Sequence, residues 1–259
     1  MSTASGDYAA RKAFFDRVLT VYGRKPVLEA LLDPALTLHA LHIADSNRDG
    51  GVMAEILRAA HKRGLEPRYH ARAELARISR NGRQDQGVAA DILCPDFQRQ
   101  EDYLGQLPPA PQRLLALDGI TNPQNLGMII RTAAAGQIDG IVLAKRGNAA
   151  LGPLVIKASA GTVYRAPLLA CEELPGALRD CKAAGFSVCS LRADARESLF
   201  SYRPRGHCVF VLGNETEGVS AATDALADVA LAIPMRNGVE SLNVAVTASL
   251  IAFAGALAG

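Results

Sequence analysis

Three short stretches of the sequence bring glycine together with amide, hydroxyl, carboxylate and guanidinium side chains at spacings that suit a reaction site. The first runs Asp118-Gly-Ile-Thr-Asn-Pro-Gln-Asn125-Leu-Gly127-Met-Ile-Ile-Arg131. The second is Leu212-Gly213-Asn214-Glu215-Thr216-Glu217-Gly218, and the third is Ile233-Pro-Met235-Arg-Asn-Gly238-Val-Glu240-Ser241-Leu242-Asn243. No histidine lies in them, and the carboxylates that stand out as proton acceptors are Glu215 and Glu240. Arg131 follows Gly127 by one helical turn, so its side chain projects back toward the loop. With a pKa above about 12 it is a poor general base, but it suits holding an anion and stabilising negative charge that develops on an oxygen. Gly213 lets backbone approach a ligand closely, and Ile233 and Leu242 supply apolar walls. Asn125, Ser241 and Asn243 also read as helix N-caps, and Glu215 as a charge favoured by a helix N-terminus. Those two readings are compatible, because free N–H groups at a helix start also receive anions.

The elements that must hold these loops alternate strand and helix. Strand-like runs at Arg113 to Leu117, Ile141 to Ala144, Phe186 to Leu191, Cys208 to Leu212 and Ala230 to Pro234 have helical stretches between most of them. That alternation predicts a parallel sheet with helices on both faces, in which ligands bind where loops leave the carboxyl ends of the strands. The three polar stretches follow the first, fourth and fifth of these strands. Upstream, helices near Pro26 to Leu32 and Val52 to Arg63, with strands near Leu38 to Ala44 and Val88 to Leu93, predict a small separate α/β domain. Between them, Pro95, Pro108, Pro109 and Pro111 stand among polar residues, a composition that resists helix and central strand. The expected organisation is therefore an N-terminal extension (1–20), a small domain (21–94), a linker (95–112) and the larger domain (113–259).

Composition narrows the possible chemistry. The 259 residues are 49% hydrophobic and 21% charged, which describes a chain that folds around a core. The five cysteines include no CxxC pair and no histidine at ligand spacing, so neither a metal nor a disulfide frame is expected. The first residues lack a secretory pattern, and the Ala-rich stretch Val244 to Ala258, 15 residues long, is short for a membrane span; a cytoplasmic protein is expected. The net charge of +2 says little by itself. Its distribution says more: between Arg58 and Arg83, eight basic residues face two acidic ones, a local excess of +6. Arg68, Arg72, Arg77 and Arg80 are the candidates in this stretch for contacts to nucleic-acid phosphates.

Taken together, the Asn125-x-Gly127-x-x-x-Arg131 loop, the Gly213-x-Glu215 loop and the Ile233-Pro-Met235 to Ser241-Leu242-Asn243 loop resemble the signature motifs of the SpoU-type 2′-O-ribose methyltransferases of the SPOUT superfamily. Lys157-Ala-Ser-Ala-Gly161 also looks like the family. The segment from Tyr22-Gly23 to Gln86-Gly87-Val88 is similar to the ribosomal-protein-like substrate-binding domain that many of these enzymes carry, with Asp85 where a histidine is common. The resemblance implies S-adenosylmethionine as cofactor, held at Leu212, Gly213, Ile233, Met235 and Leu242, without a metal. It implies methyl transfer to a ribose 2′-hydroxyl of RNA, rRNA ahead of tRNA, with Arg131, Asn125, Glu215, Ser241 and Asn243 as the catalytic set. It also implies a trefoil-knotted C-terminal end and a homodimer with its interface near the cofactor. A non-catalytic RNA-binding or ribosome-assembly protein on the same fold would be expected to lack Arg131, Asn125 or Gly213, and all three are present. A dinucleotide-dependent oxidoreductase would need a G-x-G-x-x-G turn after a first strand, which is missing.

Overall fold

In the computed structural model, which describes residues 12–48 and 50–254, the first strand, β1 (Val18–Tyr22), already begins inside the stretch expected to precede the small domain. It is followed by α1 (Arg24–Leu32), β2 (Thr37–Ala44), α2 (Gly51–Lys62), β3 (Pro67–His70), α3 (Arg72–Ser79) and β4 (Val88–Leu93). The sheet order is β1-β4-β2-β3, with only β2 and β3 parallel. One face is closed by α1 and α2. Val27, Leu31, Met53 and Ile56 pack on Leu41, Ile43, Val88 and Ala90, as the helical spacing of those side chains requires. The other face meets α3 through Leu75, which packs on Ala44 and Ala89. There Asp91 accepts a bond from Thr20 Oγ1 (2.7 Å) and pairs with His42 Nε2 (3.1 Å).

Two residues of the basic stretch turn out to hold the fold. The Arg63 guanidinium donates to the carbonyls of Asp33 (2.9 Å) and Leu36 (2.7 Å), tying down the end of α1 and the turn after it. Arg72, expected among the phosphate contacts, is half exposed and also pairs within the fold. Its Nη1 meets Asp85 Oδ1 at 2.5 Å and its Nη2 meets the Gly82 carbonyl at 2.9 Å. Asp85 is fully buried and also accepts from Ser79 Oγ (2.8 Å) and the Gly87 amide (2.9 Å). Burial pushes this carboxyl up, but the Gly87 amide, Ser79 and Arg72 together outweigh it and hold the pKa below the usual aspartate value. A carboxyl lowered by folding stabilises the native state above its unfolded pKa of about 3.9, and that contribution is lost as pH falls through the lower folded value. Asp85→Asn should therefore cost roughly 2–4 kcal/mol near pH 7, the scale of hydrogen bonds to a buried charge, and much less near pH 3. Thermal unfolding of both proteins at the two pH values checks this; a pH-independent difference would contradict it.

The second unit begins at Asp96, with Leu151–Pro153 grouped with the first. Its elements are β5 (Gln98–Arg99), α4 (Gln100–Leu104), β6 (Arg113–Leu117), α5 (Pro123–Ala135), β7 (Gly140–Ala144), α6 (Pro153–Ala158), a 3₁₀ turn (Thr162–Arg165), β8 (Leu168–Cys171), α7 (Leu174–Ala183), β9 (Ser187–Leu191), β10 (Glu197–Ser198), β11 (Cys208–Leu212), α8 (Ala221–Asp224), β12 (Val229–Ala232) and α9 (Val244–Phe253). The sheet is parallel throughout, in the order β10-β12-β9-β11-β6-β7-β8-β5. All five expected strands are present, as β6, β7, β9, β11 and β12. Three strands were not anticipated. Leu168–Cys171 has no β-branched residue to mark it, and β5 and β10 are two residues long. Residues 95–112, expected as a linker, therefore hold an edge strand and a helix: β5 pairs with β8, and buried Gln100 donates to the Ala177 carbonyl at 2.7 Å. The prolines that suggested a linker stand before and after this short insertion rather than within it.

Candidate active site

Strands β12, β9, β11 and β6 are neighbours in the sheet, so the loops leaving their carboxyl ends come together. The first polar loop enters α5 through Asn122, whose Oδ1 accepts from the Gln124 amide (2.9 Å) and the Asn125 amide (3.4 Å). The cap is thus Asn122 rather than Asn125, because Pro123 takes the first helical position and sets the chain's entry there. Asn125 is left buried in the first turn with its side chain free for other work. Its Nδ2 donates to Glu215 Oε1, and its Oδ1 accepts from Asn243 Nδ2 at 3.3 Å. Asn243 caps α9, accepting from the Ala245 amide at 2.9 Å. One chain of side-chain hydrogen bonds therefore links all three polar loops.

The second loop folds as a tight turn closed by paired Asn214 and Gly218 backbone bonds, both 2.9 Å. Glu215 sits in this turn, and α8 does not begin until Ala221, so its expected place in a first helical turn is not where the structure puts it. Asn214 Nδ2 donates to the Gly119 carbonyl (2.8 Å), and Asp118 Oδ2 accepts from the Ser220 amide (2.8 Å), binding the second loop to the first. Glycine at 213 is required by this turn. A Cβ there would lie 2.1 Å from the Gly218 carbonyl carbon and 2.2 Å from the Val219 nitrogen. Gly127 has a parallel reason: a Cβ would meet the Val155 carbonyl oxygen and the Ala158 Cβ, both at 2.6 Å, where α5 crosses α6.

Beside the hydrogen-bonded chain opens a cleft of about 190 Å³. Leu212, Gly213, Ile233, Met235 and Leu242 all line it, with Glu215 and Ser241. Asn125, Asn243 and Arg131 are not part of its wall. Sequence reasoning missed Leu191, the last residue of β9, and the Arg192 and Ala193 that follow it. The one available signal was their position at the carboxyl end of a central strand. Arg192 is bound by Asp194 (2.8 Å) and Asp224 (2.8 Å). The Arg192 guanidinium holds the Asp194 carboxyl below its usual range. Arg131 lies on the exposed side of α5 and, among the described residues, makes no hydrogen bond or ion pair. Among these residues no three His, Cys, Asp or Glu side chains are placed to hold a metal ion, and no helix is long and apolar enough to cross a membrane.

The cleft suits S-adenosylmethionine. Leu212, Ile233, Met235 and Leu242 offer an apolar slot for a flat base, Gly213 exposes main chain, and the Glu215 and Glu240 carboxylates on the same wall favour a sulfonium. Residues 112–253 match the model of the SpoU rRNA methylase family, and residues 20–95 match that of the RNA 2′-O ribose methyltransferase substrate-binding domain. An uncharacterized tRNA/rRNA methyltransferase of Mycolicibacterium vanbaalenii is 32% identical over 235 residues, 89% of this chain and 74% of its own. A 23S rRNA (guanosine-2′-O-)-methyltransferase of Xanthomonas axonopodis pv. citri is 33% identical over 203 residues, 78% of this chain and 81% of its own. The crystal structure of the SpoU methyltransferase AviRb from Streptomyces viridochromogenes, in complex with AdoMet, superposes with a TM-score of 0.63 at 22% identity, covering 96% of this chain and 91% of that one. The chain belongs to the SpoU rRNA methylase family and is an S-adenosylmethionine-dependent RNA methyltransferase.

Proposed function

We propose that the protein methylates a ribose 2′-hydroxyl of ribosomal RNA and acts as a homodimer. The observation that carries the reading is the Glu215–Asn125–Asn243 chain beside the cleft, which fixes polar groups from three separate loops next to an apolar slot. S-adenosylmethionine, when bound, supplies an activated methyl group. The protein's residues then have to orient the ribose oxygen and ease the loss of its proton. Asn125 holds one oxygen of Glu215 and leaves the other free to accept a bond. Arg131 stabilises the negative charge that grows on the ribose oxygen and holds the neighbouring phosphate. Ser241, on the cleft wall, is placed to donate to the cofactor or the substrate. The 23S rRNA activity named for the Xanthomonas relative favours rRNA over tRNA.

The dimer is supported by α9, a mostly apolar helix whose Val246 (48% exposed) and Phe253 (38% exposed) face outward. The helix packs on α5, whose Met128 is also exposed (39%), and Gln137 N donates to the Ala252 carbonyl at 2.8 Å. A second copy covering this face would bring Arg131, one turn from Met128, to the interface. The knotted chain end expected from the resemblance, and the cytoplasmic location expected from the sequence, belong to the same proposal. Two measurements test it. Mapping 2′-O-methyl sites in total RNA from cells with and without the protein should show one rRNA site lost; a lost tRNA site instead would move the substrate. Val246→Asp with Phe253→Asp should halve the mass found by sedimentation and abolish methyl transfer, and an unchanged mass would remove the dimer face.

A further inference from the structure

The third polar loop contains the run Arg236-Asn237-Gly238-Val239. Asn237 (φ 58°) and Gly238 (φ 72°) both lie in the left-handed region, and the Val239 amide donates to the Arg236 carbonyl at 3.2 Å. This is the two-residue turn for which Asn-Gly is a favoured pair. Both of its ends run into the cofactor cleft: Met235 lines the cleft just before the turn, and Glu240, Ser241 and Leu242 line it just after. Asn237 and Gly238 themselves are exposed and stand outside the cleft wall.

An asparagine before glycine is open to attack by its own chain, because glycine places no Cβ beside the nitrogen that attacks. The sequence holds a second such pair, Asn81-Gly82, and the fold treats the two oppositely. Asn81 Nδ2 donates to Tyr22 Oη (2.9 Å) and Gln84 Oε1 (3.2 Å), which pins the amide. The Gly82 carbonyl is held by Arg72 Nη2, and a Cβ at Gly82 would lie 2.7 Å from Ala76 Cβ. Aspartates before glycine are pinned as well: Asp118 Oδ2 accepts from the Ser220 amide (2.8 Å) and Asp139 Oδ2 from the Arg113 amide (2.7 Å). Asn237 differs from all of these. Among the described residues its side chain makes no hydrogen bond, the Gly238 amide donates to no carbonyl, and a Cβ at Gly238 would meet nothing within 4 Å. The attacking nitrogen is therefore unengaged, and a new ring has room.

We propose that Asn237-Gly238 is a site of spontaneous deamidation, and that its isoaspartyl product weakens cofactor binding. The Gly238 nitrogen, losing its proton to hydroxide, attacks Asn237 Cγ; the new N–C bond closes a succinimide ring and the side-chain nitrogen leaves as ammonia. Water then opens the ring. Attack at Cγ breaks the new bond and leaves an ordinary aspartyl residue, whereas attack at the main-chain carbonyl breaks the original peptide bond and leaves the chain running through Cβ and Cγ. The net reaction consumes one water, releases one ammonia and needs no other reactant. An isoaspartyl link adds one carbon, about 1.5 Å of backbone, to the turn that joins Met235 to Ser241 and Leu242, so the left-handed pair cannot persist.

Peptide mapping by mass spectrometry of the full-length protein held at mildly alkaline pH should show residue 237 passing from amide to acid, largely as isoaspartate, while Asn81 stays an amide. By calorimetry the aged protein should bind S-adenosylmethionine on the order of tenfold more weakly than fresh protein, because contacts are lost when a wall shifts by a bond length. Asn237→Gln, whose longer side chain closes a ring far more slowly, should age without that loss; the chain already holds Gln86 at φ 53°. Asn237→Asp adds the charge without the extra carbon and should bind close to the parent's affinity. An amide at 237 as durable as that of Asn81 overturns the site. Parent affinity in fully converted protein overturns its consequence, as does an equal loss in aged Asn237→Gln protein or in fresh Asn237→Asp protein.

Discussion

Arg131→Ala should reduce single-turnover methyl transfer by a factor on the order of a hundred or more while leaving cofactor affinity and thermal stability close to the parent's. The separation follows from the structure. Arg131 is exposed on α5, makes no hydrogen bond or ion pair among the described residues, and does not line the cleft, so the fold and the cofactor have little to lose from its removal. Under the proposed function, what is lost is a positive charge that meets the oxyanion as it develops. Lysine should rescue poorly, because a point charge does not reproduce the two parallel donors of a guanidinium. The assay uses the mapped RNA with cofactor and RNA saturating. Transfer at the parent rate would make Arg131 a surface residue, and the assignment of roles would begin again from Glu215 and Asn125.

Gly213→Ala should abolish detectable binding of S-adenosylmethionine by calorimetry and lower the melting temperature. One methyl group suffices. The new carbon would stand 2.1 Å from the Gly218 carbonyl carbon, which is backbone and not a flexible side-chain end, so the Asn214–Gly218 turn must open. Opening it moves Glu215 away from Asn125 and frees Asn214 from Gly119, dismantling one wall of the cleft. Affinity equal to the parent's would show that the turn yields without cost and that Gly213 does not shape the site.

Much of this architecture can be read from the chain alone where local pattern and fold agree. Arg113–Leu117, Cys208–Leu212 and Val88–Leu93 are apolar runs between breakers, and each is a strand with those same bounds. The cleft was legible for a related reason: Gly213, Ile233, Met235 and Leu242 stand just past strand ends, where parallel sheets place their ligands. What stayed hidden depends on contacts distant in sequence. Nothing near Arg72 announces that its guanidinium pairs with a carboxylate 13 residues later. Nothing in Gln98–Arg99 announces pairing with Leu169 and Ala170 across the sheet. The link between Asn125 and Asn243 spans 118 residues, beyond the reach of any window of local propensity. Arg192 was missed because the loop after β9 has none of the glycine and amide residues that mark the three polar loops.

The length of that link also governs when the site can exist. Central β6 is bordered on one side by β11, with Leu114 opposite Val209, so the middle of the sheet waits for chain made almost a hundred residues later. Closing such long loops costs entropy before any contact repays it, and chains rich in distant pairings fold slowly. The helices and the β6–β7 pair can form early in synthesis, but the Asn125–Asn243 bond must wait for the third loop and α9. A nascent or partly unfolded chain therefore has neither the complete cleft nor the complete chain of amides. Methyl transfer becomes a late event in maturation, so activity reports on the finished tertiary structure and not on its secondary structure.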